Sequence, residues 1–147
     1  MKFSFYNTRH YSRCIQIIQS NTPEFIHPDE HREYEKFLRE EKTYYVLSLN
    51  SKIIACGGIW VNADQSKSGL SWGLVDRQYH GMGIGKKLLI YRLNQIREKY
   101  PRSTIRCETS QHTYKFFEKF GFNTVKISKN GFAKGMDKYI MIKAHDQ

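Results

Sequence analysis

The residues best suited to chemistry sit in one stretch, VDRQYHGMGIGKKLL, from Val75 to Leu89. Gly81, Gly83 and Gly85 alternate there with Met82 and Ile84, ahead of Lys86, Lys87 and an apolar run. Glycines remove the Cβ atoms that would hold an anion away from backbone N–H groups. A helix opening near Gly83 aims its first N–H groups, which have no intrahelical partner, at the same loop. Its partial positive charge contributes a few tenths to about 1 kcal/mol per anionic contact. Lys86 and Lys87 conflict with that charge in an empty helix start and suit it once phosphates are present. Two familiar phosphate loops fail on named residues. A Walker A loop would need Gly where His80 stands and Ser or Thr where Lys87 stands. A G-x-G-x-x-G fingerprint needs its third glycine at Lys86 or at Leu88, depending on the register. A plain strand-to-helix turn needs one glycine, not three in five residues. The pattern favours a pyrophosphate.

The elements that must hold this loop follow from periodicity. Lys2 to Asn7 alternates like a strand, and Thr8 can cap a helix carrying Tyr11, Cys14, Ile15 and Ile18. Asn21 to His27 reads as a loop, and Pro28 and Asp29 open a charged helix to about Glu40. Thr43 to Leu49 and Lys52 to Val61 form a hairpin about Asn50-Ser51, with a bulge or close backbone approach at Gly57-Gly58. Gly69 to Asp76 is a buried strand, and the loop's helix then runs to about Lys99. Leu89, Leu93, Ile96 and Tyr100 share one face of that helix, while Arg92, Arg97 and Lys99 lie mostly elsewhere. Ser103 to Thr109 is a strand, and His112 to Phe120 is a short aromatic helix closed by Gly121. Two strands near Asn123 to Ser128 and Lys138 to Lys143 finish a mixed α/β domain spanning 1–147.

Composition bounds the rest. Lys and Arg number 24 against 14 Asp and Glu, so 24 − 14 = +10, which calls for an anionic partner. The basic residues are scattered, so charge alone does not name that partner. Cys14, Cys56 and Cys107 are odd in number and widely spaced, which argues against a disulfide framework or a zinc site. They read as buried free thiols in a reducing cytoplasm, and no apolar run reaches the length of a membrane span.

With these residues in view, the sequence resembles the GNAT superfamily of acyl-CoA-dependent N-acyltransferases. The loop His80-Gly81-Met82-Gly83-Ile84-Gly85 follows a strand ending in Val75. A second signature, Phe116-Phe117-Glu118-Lys119-Phe120-Gly121-Phe122, matches an aromatic helix closing in EK-x-GF. The order of elements matches along essentially the whole chain. The resemblance implies an α/β (α+β) fold: a mixed, mostly antiparallel sheet of six to seven strands, splayed between strands 4 and 5 and flanked by about four helices. It implies acetyl-CoA as acyl donor and no metal. The pantetheine arm would pair with Leu74 and Val75, the pyrophosphate would rest on 81–86, and Phe117 would border the donor. Two positions depart from the family: His80 stands where Arg or Gln is usual, and Phe117 where many members carry a proton-donating Tyr. Tyr114, one turn earlier, is the substitute that spacing offers.

Attack on a thioester needs a neutral amine, and a lysine-like amine is only about one part in a thousand neutral at pH 7.4. A general base contributes roughly 10²–10⁴-fold. Glu108, at the end of the fifth strand, is the first candidate, and His112 the second. A surface role, or pairing with Arg106, is an equal alternative for Glu108. Tyr139 is a core or rim aromatic, and nothing beside Cys107 activates it as a nucleophile. Carboxylates at Glu24, Asp29, Glu30 and Asp64 would rim the acceptor site, although the basic chain favours an acidic acceptor. A small-molecule primary amine leads as acceptor. A peptide or protein amine is second, and an acyl-CoA-binding protein without turnover is third. A nucleic-acid-binding module is disfavoured because the aromatics fall at core spacing. No membrane partner is expected, and a homodimer is an open alternative.

Overall fold

The computed structural model describes residues 1–145. Seven strands form one sheet: β1 (Lys2–Phe5), β2 (Thr43–Leu49), β3 (Lys52–Val61), β4 (Lys67–Val75), β5 (Thr104–Thr109), β6 (Asn123–Ala133) and β7 (Met136–Lys143). Four α-helices flank it: α1 (Tyr11–Ser20), α2 (His31–Arg39), α3 (Ile84–Lys99) and α4 (Tyr114–Glu118). The hairpin between β2 and β3 turns on Asn50 and Ser51, at φ 50° and 67°. Two left-handed residues in succession are what a type I′ turn requires. Asn7, rather than Thr8, caps the first helical turn, its side-chain oxygen accepting the Arg9 N–H at 2.9 Å. That turn is a 3₁₀ segment, Thr8–His10, which leads into α1.

The strands lie in the order β1-β2-β3-β4-β5-β7-β6. Every neighbouring pair is antiparallel except β4 and β5. This parallel pair is brief. Lys67, Ser68 and Gly69 align with Thr104, Ile105 and Arg106, and beyond them the strands part. From there β4 pairs only with β3 and β5 only with β7, so a wedge opens inside the sheet.

A second irregularity lies beside the wedge. Between the pairs Cys56–Leu74 and Gly58–Ser71, β3 advances two residues while β4 advances three. The extra residue therefore belongs to β4, at Trp72-Gly73, and Trp72 takes φ 39°. Of the two readings of Gly57-Gly58, the bulge falls on the facing strand, while the close approach holds at these glycines. Gly58 has its own reason to be glycine, since a Cβ there would sit 2.5 Å from the Thr43 carbonyl.

Strand alternation sorts the core onto both faces. Tyr44 and Val46 of β2 join Cys14, Ile17 and Ile18 of α1 and Tyr34 and Leu38 of α2 on one face. Tyr45 joins Leu89, Leu93 and Ile96 of α3 on the other, and Leu47 packs with Ile84 and Leu88. The helix face expected to carry Arg92 away from the sheet needs correction. Arg92 is 4% exposed and is pressed against the sheet with the apolar residues of α3. Bare backbone makes the room: a Cβ on Gly57 would lie 3.1 Å from the Arg92 guanidinium carbon, and one on Gly73 would lie 2.6 Å from Nη2. Among the described residues no helix is long and apolar enough to cross a membrane.

Candidate active site

The wedge between β4 and β5 opens into a cleft of about 860 Å³, within the size range of small-molecule sites. Its walls are Leu70 to Val75 of β4 and Cys107 to Thr109 of β5. The loop before α3 closes one end, and Phe25, Glu30 and Glu33 overhang it from the α1–α2 side.

The loop is anchored from below. Asp76 accepts the Gln78 N–H at 2.9 Å and the Arg13 guanidinium, while Arg13 Nε donates to the Ile53 carbonyl at 2.7 Å. Burial alone would raise the Asp76 carboxyl, but Arg13 and the Gln78 N–H hold it below the usual carboxylate range. Above this anchor Gly81 and Gly83 both take φ 77°, and a Cβ on either would meet nothing within 4 Å. The requirement for glycine is therefore conformational, and it leaves open space over the loop. Gly83 caps α3 with no side-chain hydrogen bond, and the Lys87 N–H makes the first helical bond, to the Gly83 carbonyl at 3.1 Å. The N–H groups of Ile84, Gly85 and Lys86 precede that bond, and all three residues line the cleft. These groups fit a pyrophosphate. Met82 does not line the cleft, and its side chain is 65% exposed.

His80 turns back onto the strand. Its Nε2–H donates to the Val75 carbonyl at 3.0 Å, and its ring meets Phe25 edge-on at 5.3 Å. The same carbonyl accepts the Asn21 amide at 2.9 Å. Leu74 and Val75 both line the cleft, but the Val75 carbonyl is already served by the chain itself. Phe25 also meets the His112 ring at 6.1 Å and carries the Arg77 guanidinium at 4.7 Å. It therefore reaches from the loop side of the wedge to the β5 side.

Glu108 lies on the cleft wall, with Lys138 Nζ at 3.3 Å and Arg106 Nη2 at 3.6 Å. Its pairing with Arg106 and its place in the cleft hold together. His112 lines the same wall, its backbone N–H donating to Ser110 Oγ at 3.2 Å. Tyr114 lies outside the cleft lining, stacked on Tyr139 at 4.3 Å against the α3 side of the core. Phe117 does line it, held edge-on by Phe116 at 5.3 Å and Phe122 at 5.8 Å. Of the four carboxylates expected at the acceptor rim, Glu30 alone lines the cleft. Glu24 binds Arg77 at 2.6 Å, Asp29 lies 3.5 Å from His27, and Asp64 holds the turn through Ser66 at 2.6 Å. Burial pushes the Glu30 carboxyl up, against the His27 N–H that donates to it at 3.0 Å.

Several cleft residues escaped the sequence reading. Glu33 and Lys138 come from segments that look like solvated surface, and their approach depends on tertiary packing. Arg92 had a signal in hindsight: it lies one turn from Leu88 and Leu89, on an otherwise apolar face. Burial lowers its guanidinium to about 10, which leaves it cationic at neutral pH. Burial also pushes the Cys107 thiol up to about 12, so it stays protonated and is no nucleophile. Among the described residues no group of three His, Cys, Asp or Glu is placed to hold a metal.

Comparison with known proteins agrees with this architecture. The model of the acetyltransferase (GNAT) domain matches residues 14–144. No curated protein sequence matches significantly. The ribosomal-protein-S18-alanine N-acetyltransferase of Escherichia coli superposes with a TM-score of 0.82 at 20% identity, over 99% of this chain and 94% of that one. An aminoglycoside 6'-N-acetyltransferase solved with coenzyme A gives 0.75 at 16% identity, covering 98% and 97%. The Enterococcus faecium aminoglycoside 6'-N-acetyltransferase gives 0.72 at 16% identity, again covering 98% and 97%. At such identities the likeness is one of fold, while the domain match extends over nearly the whole chain. This chain belongs to the GNAT family and is an acetyltransferase enzyme.

Proposed function

We propose that the protein transfers an acetyl group, or a close acyl relative, from acyl-CoA directly to the primary amine of a small molecule. The observation that carries this reading is the glycine loop at the mouth of the wedge. Its open, left-handed Gly81 and Gly83 lead straight into the unpartnered N–H groups of Ile84, Gly85 and Lys86. Those groups hold the donor's pyrophosphate, Lys86 adds charge, and the arm runs down the wedge beside Leu74, with Phe117 as an apolar wall. The donor supplies an activated thioester.

The acceptor enters from the α1–α2 side, past Glu30 and Glu33. Glu108 takes the proton from the amine as its nitrogen bonds to the acyl carbon, with Lys138 and Arg106 holding the carboxylate in position. The carbon–sulfur bond breaks and the sulfur leaves as thiolate. A thiol of ordinary pKa near 8.5 is an adequate leaving group near neutral pH. The absence of a tyrosine at Phe117 therefore does not stop the reaction, and no role is left for Tyr114. His112 orients the acceptor or relays the proton through water. Three buried free cysteines suit a reducing cytoplasm.

The test is thiol release from acetyl-CoA against polyamine, aminoglycoside, amino-acid and peptide acceptors. Release that depends on a small amine is expected. Release with peptides alone would move the assignment to a protein acceptor. Acetyl-CoA binding with no release on any amine would contradict catalysis.

A further inference from the structure

Arg92 is a buried cation with no anion. It is 4% exposed, yet no carboxylate among the described residues lies within ion-pair distance of it. Among the described residues its Nε has no hydrogen-bond partner. Nη1 reaches only the Gly58 carbonyl at 3.4 Å and the Ser71 carbonyl at 3.5 Å, both long for charged hydrogen bonds. Nη2 has no hydrogen bond among the described residues and lies beside the bulge, 2.6 Å from where a Gly73 Cβ would be. A guanidinium taken out of water without a counter-charge is costly, and a chain usually offsets that with an acidic side chain. Here the chain does the reverse. It gives up side chains at Gly57 and Gly73 to admit the arginine and leaves it facing the cleft beside Ser71 and Cys107.

We propose that Arg92 receives a substrate carboxylate at the floor of the cleft. A carboxylate matches the fork of a guanidinium and supplies the missing negative charge from the ligand. The chemistry has two sources, the free carboxylate of a dicarboxylic acyl group on CoA or a carboxylate of the acceptor. Position ranks the acyl group first. Arg92 is nine residues along α3 from Gly83, about 14 Å at 1.5 Å per residue. A pantetheine arm has the contour of about four peptide residues, also about 14 Å. The two lengths match, so an acyl group on that sulfur would reach the depth of Arg92 along α3. This assignment rests on the acyl-CoA reading of the cleft and narrows the kind of acyl group or acceptor it serves.

The experiment compares donors and acceptors with and without a carboxylate. Wild-type protein is titrated calorimetrically with acetyl-CoA and with succinyl-CoA, and thiol release is measured with amino acids and with their amides. Tenfold or greater preference for the carboxylated member of one pair is expected. Preference in the donor pair assigns the acyl group, and preference in the acceptor pair assigns the acceptor. Arg92→Met should remove that preference, bringing the two members of the pair within threefold of each other. If Arg92→Met does not fold, Gly57→Ala, which crowds the guanidinium at 3.1 Å, should weaken the same preference. Equal treatment of both pairs by wild type would overturn the proposal, as would a preference that survives both substitutions. Acetyl-CoA binding that persists without any carboxylate preference would sink this inference alone, whereas no binding of either donor would sink the acyl-CoA reading beneath it.

Discussion

Glu108 carries the clearest expectation at the scale of single residues. Glu108→Gln keeps the size and one acceptor oxygen but loses the charge and cannot accept a proton. We expect turnover to fall tenfold or more while acetyl-CoA binds within about twofold of wild type. Unchanged turnover would leave Glu108 as one member of the Arg106–Lys138 ion-pair cluster and nothing more. Its place on the cleft wall was legible because it stands at the end of the fifth strand. Arg92 carried only a weak local signal, its spacing from Leu88 and Leu89, since an arginine on a helix reads as solvated surface unless bare backbone faces it. That backbone comes from β3 and from a bulge in β4, distant in sequence. His80 was legible as a departure from the family pattern, but its bond to the Val75 carbonyl follows only from the fold of the loop.

At the scale of elements, the bulge at Trp72-Gly73 depends on a polar prop. The Tyr44 hydroxyl donates to the Trp72 carbonyl at 2.6 Å and meets the Tyr34 hydroxyl at 2.9 Å, both tyrosines being buried. Tyr44→Phe leaves that carbonyl without its donor and should cost about 1–3 kcal/mol in urea unfolding. The apparent affinity for acetyl-CoA should weaken as well, because the bulge shapes the cleft wall. A loss below a few tenths of a kcal/mol would mean that the bulge is held by strand pairing alone. The glycine loop, the hairpin turn and the helices were readable from local residue types, because each is specified within a few positions. The splay and the bulge were not specified locally. They arise from the register between strands that are far apart in sequence, and single-strand periodicity carries no record of pairing. The two adjacent glycines in β3 did mark the neighbourhood, although the extra residue belongs to the partner strand.

Across the whole molecule, the Arg13–Asp76 pair ties α1 to the end of β4 and so to the glycine loop. The folded Asp76 carboxyl lies below its ordinary value of about 3.9, so its contribution is fully present above that pH and is lost as pH falls through the folded value. Thermal melts of wild type and Asp76→Asn should therefore differ at pH 6 and converge as the pH drops below about 4. A gap that stays constant down to pH 3 would show that the carboxylate charge is not what matters. The net charge of +10 acts at this scale too. It raises the local concentration of a polyanionic donor, so donor affinity should fall as salt rises, most steeply below physiological ionic strength. The resemblance to the family was carried by the loop and the order of elements taken together, and the proposed donor rests on the loop and the wedge. The proposed acceptor side rests on the overhang of Phe25, Glu30 and Glu33, which line the cleft together with residues far from them in sequence.

The central claim is that the Gly81–Lys86 loop holds the pyrophosphate of acyl-CoA, and calorimetric titration of acetyl-CoA into wild type and Gly83→Glu tests it most directly. Gly83 holds φ 77° with open space above it, so a glutamate there strains the loop and puts negative charge where the phosphates would sit. Saturable one-to-one binding to wild type is expected, with a raised melting temperature, and loss of both in a Gly83→Glu variant that remains folded. Equal binding and equal stabilisation of the two proteins would contradict it.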